Sequence, residues 1–227
     1  MLKKENAIQN ILESFKEYSD IIMQQLDLLE TIIQTGDTEI DKQLIAQMEK
    51  NENKLDKFEV KISDKIINTI VLHHPMASEL RKIIACYRMV INMERIGDLI
   101  MNIVKFIQKI EDKKLYAELS DVIFNMLVSS ENMVQKSLLS YLNEDREYAI
   151  WTIKNDDVVD EMNKKLMKKS INKSGFSDEA RTTLMNLINV KSIVYNIERI
   201  ADQATHIAEA SIYSLEGKDI RHKDIEQ

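Results

Sequence analysis

Glu94, Asp98 and Asn102 follow one another at intervals of four residues, and so do Glu198, Asp202 and His206. Residues at i, i+4 and i+8 stack along one side of an α-helix, so each triplet is predicted to form a row of donor atoms on one face. The carrier segments, NMERIGDLIMNI (92–103) and NIERIADQATHI (196–207), are in register: Glu198, Arg199, Ile200 and Asp202 stand 104 positions after Glu94, Arg95, Ile96 and Asp98. A second pair of rows precedes them at the same offset, Glu52, Asp56 and Glu59 in one half, Asp156, Asp160 and Asn163 in the other. If the carrier helices pack antiparallel, the rows face each other and several carboxylates crowd together. Like charges that close force one or more of them to take a proton. A bound cation removes that cost, and oxygen-rich sites suit hard ions such as Mg²⁺, Mn²⁺, Ca²⁺ or iron. His206 adds an imidazole, which favours a transition metal in the second half.

A plainer reading competes. Acidic residues at this spacing are commonly a solvated helix face, and Arg95 and Arg199 can neutralise their neighbours. The repetition of the pattern in both halves favours the cation. Gly97 and Ala201, inside the motifs, also read structurally, as small residues that let a facing helix approach closely.

Other chemistry is thinly represented. The chain has no glycine-rich phosphate loop, no Gly-x-Ser-x-Gly, no His-Glu-x-x-His and no cysteine pair. Neither Glu94 nor Glu198 has a histidine three residues on, as a ferritin-like di-iron site requires. Of the row residues only His206 is suited to serve as a general base. His73 and His74 point to different sides of a helix end and read as loop histidines. Cys86 stands among Ile83, Ile84, Tyr87 and Val90 and reads as a buried, inert thiol. Trp151 reads as a packing anchor, and most of the twelve methionines as core filler.

The elements that must position the rows are helices. Apolar residues recur at three- and four-residue spacing almost throughout, and only four Gly and one Pro interrupt 227 residues. Breaks at 34–37, 73–76, 111–115, 143–146 and 172–178 leave six helices, at about 3–34, 38–72, 76–110, 115–142, 145–172 and 178–215. Gly36, Gly175 and Gly217 suit helix ends, Pro75 a helix start, and Ser177 with Asp178 an N-cap. Short connections make successive helices antiparallel. The single offset also relates Asn51 to Asn155, Lys61 and Lys65 to Lys165 and Lys169, Ile84 to Ile188, and Val90 to Val194. The sequence therefore predicts an all-α fold of two tandem three-helix bundles related by an internal repeat, 1–112 and 113–217, with a polar tail at 218–227.

The net charge is -7, and it argues against nucleic acid, which needs a concentrated basic face. No stretch of 18 residues is free of charge, and the first residues show no continuous apolar segment of a signal peptide. A single cysteine excludes an intrachain disulfide. A cytoplasmic location is expected.

MERIGDLIMNI (93–103) and IERIADQATHIAEASIYSLEGKDIRH (197–222) resemble the two signature segments of the PhoU family of phosphate-signalling regulators. EKNENKLDKFEVKI and IKNDDVVDEMNKKL resemble the acidic segments that precede them, and HHPMASELRKI the lead into the third helix. The resemblance implies two three-helix bundles side by side, with motif carboxylates that hold multinuclear iron or zinc clusters in some members; manganese or magnesium is the alternative. Carried over, it implicates Glu94, Asp98 and Asn102, then Glu198, Asp202 and His206, with Glu52, Asp56, Asp156 and Asp160 as the facing row. This chain departs where the family often has histidine directly after the motif aspartate, here Leu99 and Gln203. The resemblance further implies a non-enzymatic negative regulator of the phosphate-starvation response. Such a protein couples a phosphate ABC transporter, or another phosphate permease, to a sensor histidine kinase, meets membrane proteins only peripherally, and forms a homodimer. The contrasting expectation is a hydrolase of phosphate esters with metal ions held by the carboxylates.

Overall fold

A computed structural model describes residues 2–171 and 180–221, and among these every regular element is helical. The helices are α1 (Leu2–Gln34), α2 (Lys42–His73), α3 (Ser78–Ile107), α4 (Lys113–Leu142), α5 (Arg146–Lys154), α6 (Asp156–Ile171) and α7 (Ala180–Glu216). Each long helix buries one stripe. In α1 the stripe is Ile11, Phe15, Tyr18, Ile22, Leu26, Leu29 and Ile33; in α2 it includes Met48, Leu55, Ile62 and Ile66. A stripe of this period gives a helix one dry side, and three such sides close a bundle.

Polar residues set the ends. Asp41 caps α2 by accepting from the Gln43 amide at 2.7 Å, and Asp112 caps α4 by accepting from Leu115 at 2.9 Å. Gly36 (φ 64°) and Gly217 (φ 72°) take the left-handed backbone that closes α1 and α7. α2 starts at Lys42 rather than 38, because Asp37 turns the chain first, accepting from the Glu39 amide at 3.1 Å. α3 starts at Ser78, two residues later than expected, after His74 has closed α2 with φ 45° and its amide on the Ile70 carbonyl. The caps expected of Gly175, Ser177 and Asp178 lie outside the described residues.

The fifth helix, expected to be continuous over 145–172, is broken at Asn155. The Asn155 side chain donates to the Trp151 carbonyl at 2.8 Å, and its own carbonyl accepts from Val158 at 3.1 Å. Asn-Asp-Asp offers the backbone local alternatives to the helical ladder. Asp156 thereby opens a new helix instead of sitting inside an old one.

α1, α2 and α3 pack on one another, and α4 to α7 make the second bundle. The seam between the halves is formed by α1 against α4 and α3 against α7. One apolar core runs through both halves, from Ile11 and Phe15 to Ile200 and Ile207. Cys86 is fully buried in it, and burial pushes its thiol up to about 12. The two motif helices, α3 and α7, thus lie back to back, each turning its acidic row away from the seam toward its own bundle's acidic helix.

Candidate metal sites

In the first half the loop at 74–77 folds α3 back along α2. Gly97 sits where the two helices meet. A Cβ there would stand 3.0 Å from Glu52 Oε2 and 3.0 Å from Leu55 Cδ1, so the missing methyl is what admits the Glu52 carboxylate between the helices. Glu52 Oε2 is buried and has no hydrogen-bond donor. Burial, then Asp98, Asp56 and Glu94, push its carboxyl up to about 7, with Lys105 pulling the other way. Glu94 is raised as well, by burial first, then by Asp98, Glu59 and Asp56, while Arg95 opposes. The structure therefore joins Glu52 and Asp56 of α2 with Glu94 and Asp98 of α3 in one electrostatic cluster, as the spacing predicts. Asn102 is half-buried one turn past Asp98.

The second half repeats the plan with different side chains. Ala201 takes the place of Gly97, and the shorter Asp156 that of Glu52. Burial, Asp202 and Asp160 push Asp156 up to about 6, with the nearby Thr205 side chain pulling the other way. Glu198 is raised by burial and by Asp160, and its carboxylate accepts from the Asn163 amide. Asp202 is raised by burial before all else, with His206 lowering it. His206 itself is exposed, with Nδ1 3.2 Å from Glu209 Oε2, and that contact is the largest cause raising its pKa. Its ring is thus held toward Glu209, beside Arg88 and Arg221, as well as lying near Asp202 and Asp156.

Both clusters are all-carboxylate at their centre, and one contains a buried oxygen that nothing satisfies. A buried acceptor without a partner costs about 1–3 kcal/mol, and a hard cation supplies what it lacks. The donor set fits such an ion. The side chains are not drawn together as ligands: among the described residues, the carboxylates whose oxygens lie mutually within 4.8 Å are Asp27, Glu30 and Glu131, outside both rows. Closure of the row carboxylates on an ion therefore needs side-chain rotation.

Sequence reading missed that third group, which α1 and α4 bring together across the seam. Burial, then Glu30 and Asp27, push Glu131 up to about 8. One signal was available, since Glu131 is the counterpart of Asp27 at the offset of 104. It also missed Tyr18 of α1, whose buried hydroxyl has no hydrogen-bond partner and is made harder to ionise by burial first, then by Glu59, Glu94, Glu52 and Asp56.

The PhoU domain model matches residues 6–107 and again 123–211, so each half carries one copy. The chain is 27% identical over 206 residues to phosphate-specific transport system accessory protein PhoU homolog 1 of Thermotoga maritima, covering 89% of this chain and 83% of that protein. It is 26% identical over 185 residues to the corresponding homolog of Clostridium acetobutylicum, covering 81% and 83%. Among solved structures, the phosphate transport system regulatory protein PhoU of Streptococcus pneumoniae superposes with a TM-score of 0.82 at 18% identity, over 95% of this chain and 98% of that one. PhoU of Pseudomonas aeruginosa gives 0.76 at 19%, over 94% and 99%. At such identities the superpositions establish the fold.

Proposed function

This chain belongs to the PhoU family, and from that premise we propose that it is a non-enzymatic accessory protein of phosphate-specific transport, one that lowers phosphate uptake and the starvation response when phosphate is plentiful. The observation that carries the reading is the matching of both halves by one domain model, each copy enclosing one acidic motif. The relatives are named as accessory proteins of a transport system, and no helix among the described residues is long and apolar enough to cross a membrane. On this proposal the protein acts by contact, with a phosphate transporter on one side and a sensor histidine kinase as the signalling partner, in the cytoplasm and as a homodimer.

In this reading Glu52, Asp56, Glu94 and Asp98 hold a cation in the first half, and Asp156, Asp160, Glu198 and Asp202 in the second, with Asn102 and His206 at the margins. Iron or zinc is the expected occupant, manganese or magnesium the alternative. The ion's contribution is charge: it converts a repelling acidic strip into a neutral or positive face on which a partner can settle.

Deleting the gene tests the proposal. Under phosphate excess, the deletion strain is expected to express starvation genes and to take up more phosphate than the parent. Unchanged expression and uptake, together with metal-dependent phosphatase activity of the purified protein, would overturn it in favour of hydrolysis.

A further inference from the structure

Gly217 (φ 72°) turns the chain beside Arg81, where a Cβ would stand 3.2 Å from the Arg81 Nε. The chain then doubles back, and Asp219 reaches Arg88, two turns further along α3. There a cavity of about 400 Å³ opens between α3, α7 and the C-terminal turn. Its cations come from separate parts of the chain. Arg88 belongs to α3, His206 to α7, and Arg221 to the turn.

The charges do not balance pairwise. Glu209 is engaged by His206, whose Nδ1 lies 3.2 Å away. That leaves two guanidiniums for one carboxylate. Arg221 donates to both oxygens of Asp219, at 2.9 and 2.5 Å. The ion pair of Arg88 with the same carboxylate spans 3.8 Å, too long for a hydrogen bond. Arg88 is held instead by its stacking over the Tyr213 ring, 5.0 Å from the centroid, which leaves its N–H groups to be used. Asn92 adds an amide to the same wall. Helix packing does not demand this arrangement. At the offset of 104, Ser192 stands in the place of Arg88, and α3 and α7 pack on each other with a guanidinium on one side only.

We propose that this cavity binds a multiply charged oxyanion of the phosphate class between Arg88 and Arg221, and that Asp219 occupies the anion's place until the anion displaces it. Guanidinium forks match phosphate oxygens in pairs, and a dianion gains more from two of them than a carboxylate does. The Asp219 side chain is 41% exposed, so it can swing out to water without unpacking the core. The inference uses none of the row carboxylates and is independent of cations bound there.

The test is calorimetric titration of the full-length protein with inorganic phosphate and with pyrophosphate, at low salt. A chelator is present throughout, so that no metal in the acidic rows can hold the anion. Wild type is expected to bind one pyrophosphate per chain, more tightly than phosphate. Arg88→Met and Arg221→Met are each expected to weaken binding about tenfold, the loss of one charge-assisted hydrogen bond. Asp219→Asn is expected to tighten it, because the internal competitor loses its charge. A merely structural role for Asp219, anchoring the turn, predicts no such gain. Adenosine diphosphate distinguishes the sources of the phosphoryl group: binding equal to pyrophosphate or tighter assigns the cavity to a phosphorylated small molecule, weaker binding to the free anion. Circular dichroism checks that the variants fold, and the wild-type titration stands without them. No binding by wild type would overturn the site, as would binding indifferent to all three substitutions.

Discussion

Glu52 and Gly97 occupy one another's space: the carboxylate oxygen of the first lies 3.0 Å from where the second would carry a methyl group. The counterpart pair is Asp156 and Ala201, one methylene shorter on one helix and one methyl longer on the other. Within a single chain, the two halves have kept the sum and exchanged the parts.

Gly97→Ala separates stability from site geometry. Alanine is better than glycine inside a helix by about 0.5–1 kcal/mol. The atoms it meets, Glu52 Oε2 and Leu55 Cδ1, are ends of flexible side chains that can give way. The two effects nearly cancel, and unfolding is expected to move by no more than about 1 kcal/mol. Cation uptake by the first half is expected to fall because the carboxylate is displaced. Glu52→Asp added to the same chain reproduces the second half's pair and is expected to recover uptake. Calorimetric titration of the single and double variants measures this, and a double variant no better than the single one defeats the explanation.

The metal-free protein is expected to lose stability as pH rises from about 5 to 8. Glu52, Asp156 and Glu131 are raised to about 7, 6 and 8 from 4.5, 3.8 and 4.5. A raised carboxyl stabilises the folded state fully below its unfolded pKa, and the contribution disappears as pH climbs through the folded value. Asp219, lowered to about 2, works in the opposite sense but only below 3.8. All three raised groups are partly open to water, so screening reduces the total to about 2 kcal/mol, or a fall in Tm of about 5 °C for a chain of this size. Melting curves in chelator at several pH values, repeated with added cation, should show the fall and its reversal; a flat profile contradicts it.

Glu131→Gln is expected to stabilise the protein at pH 8 by about 1 kcal/mol, the order of one pKa unit. The neutral amide spares the seam a carboxylate crowded by Asp27 and Glu30. At pH 4 the gain should vanish, since the native glutamic acid is then already neutral. Paired denaturant titrations at the two pH values decide it, and equal effects at both would rule out charge as the cause.

Asp98→Ala and Asp202→Ala are each expected to halve the metal content of the loaded protein, and the double variant to abolish it. Elemental analysis after incubation with iron, manganese or zinc salts reads the stoichiometry directly. Full loading of the double variant would show that the rows are only a wet helix face.

The sequence carried the fold almost whole, because each half repeats the same apolar period and the same offset. The acidic rows were legible for a related reason, since i, i+4 spacing places Glu94 above Asp98 whatever the tertiary structure does. Position within a row does not say how deep a side chain lies. Glu52 and Asp56 read alike, yet Glu52 alone is wedged beside Gly97. The environment of Tyr18 was invisible because the acids that influence it are on two other helices and its own helix reads only as a buried stripe. Asp27, Glu30 and Glu131 escaped because the seam, not the local pattern, assembles them. The break at Asn155 was readable in principle from Asn-Asp-Asp, but the apolar period on either side masked it.

The seam described above has one more property. It pairs α1 with α4 and α3 with α7, and in each pair the partners are counterparts under the internal repeat. Contact between an element and its own copy is the signature of a twofold interface between identical subunits. The two halves thus meet as two copies of one subunit would, within a single polypeptide. One polypeptide can place different residues at counterpart positions, which a true homodimer cannot do, since any change there appears in both subunits at once. Glycine against alanine at 97 and 201, and glutamate against aspartate at 52 and 156, are asymmetries of that kind.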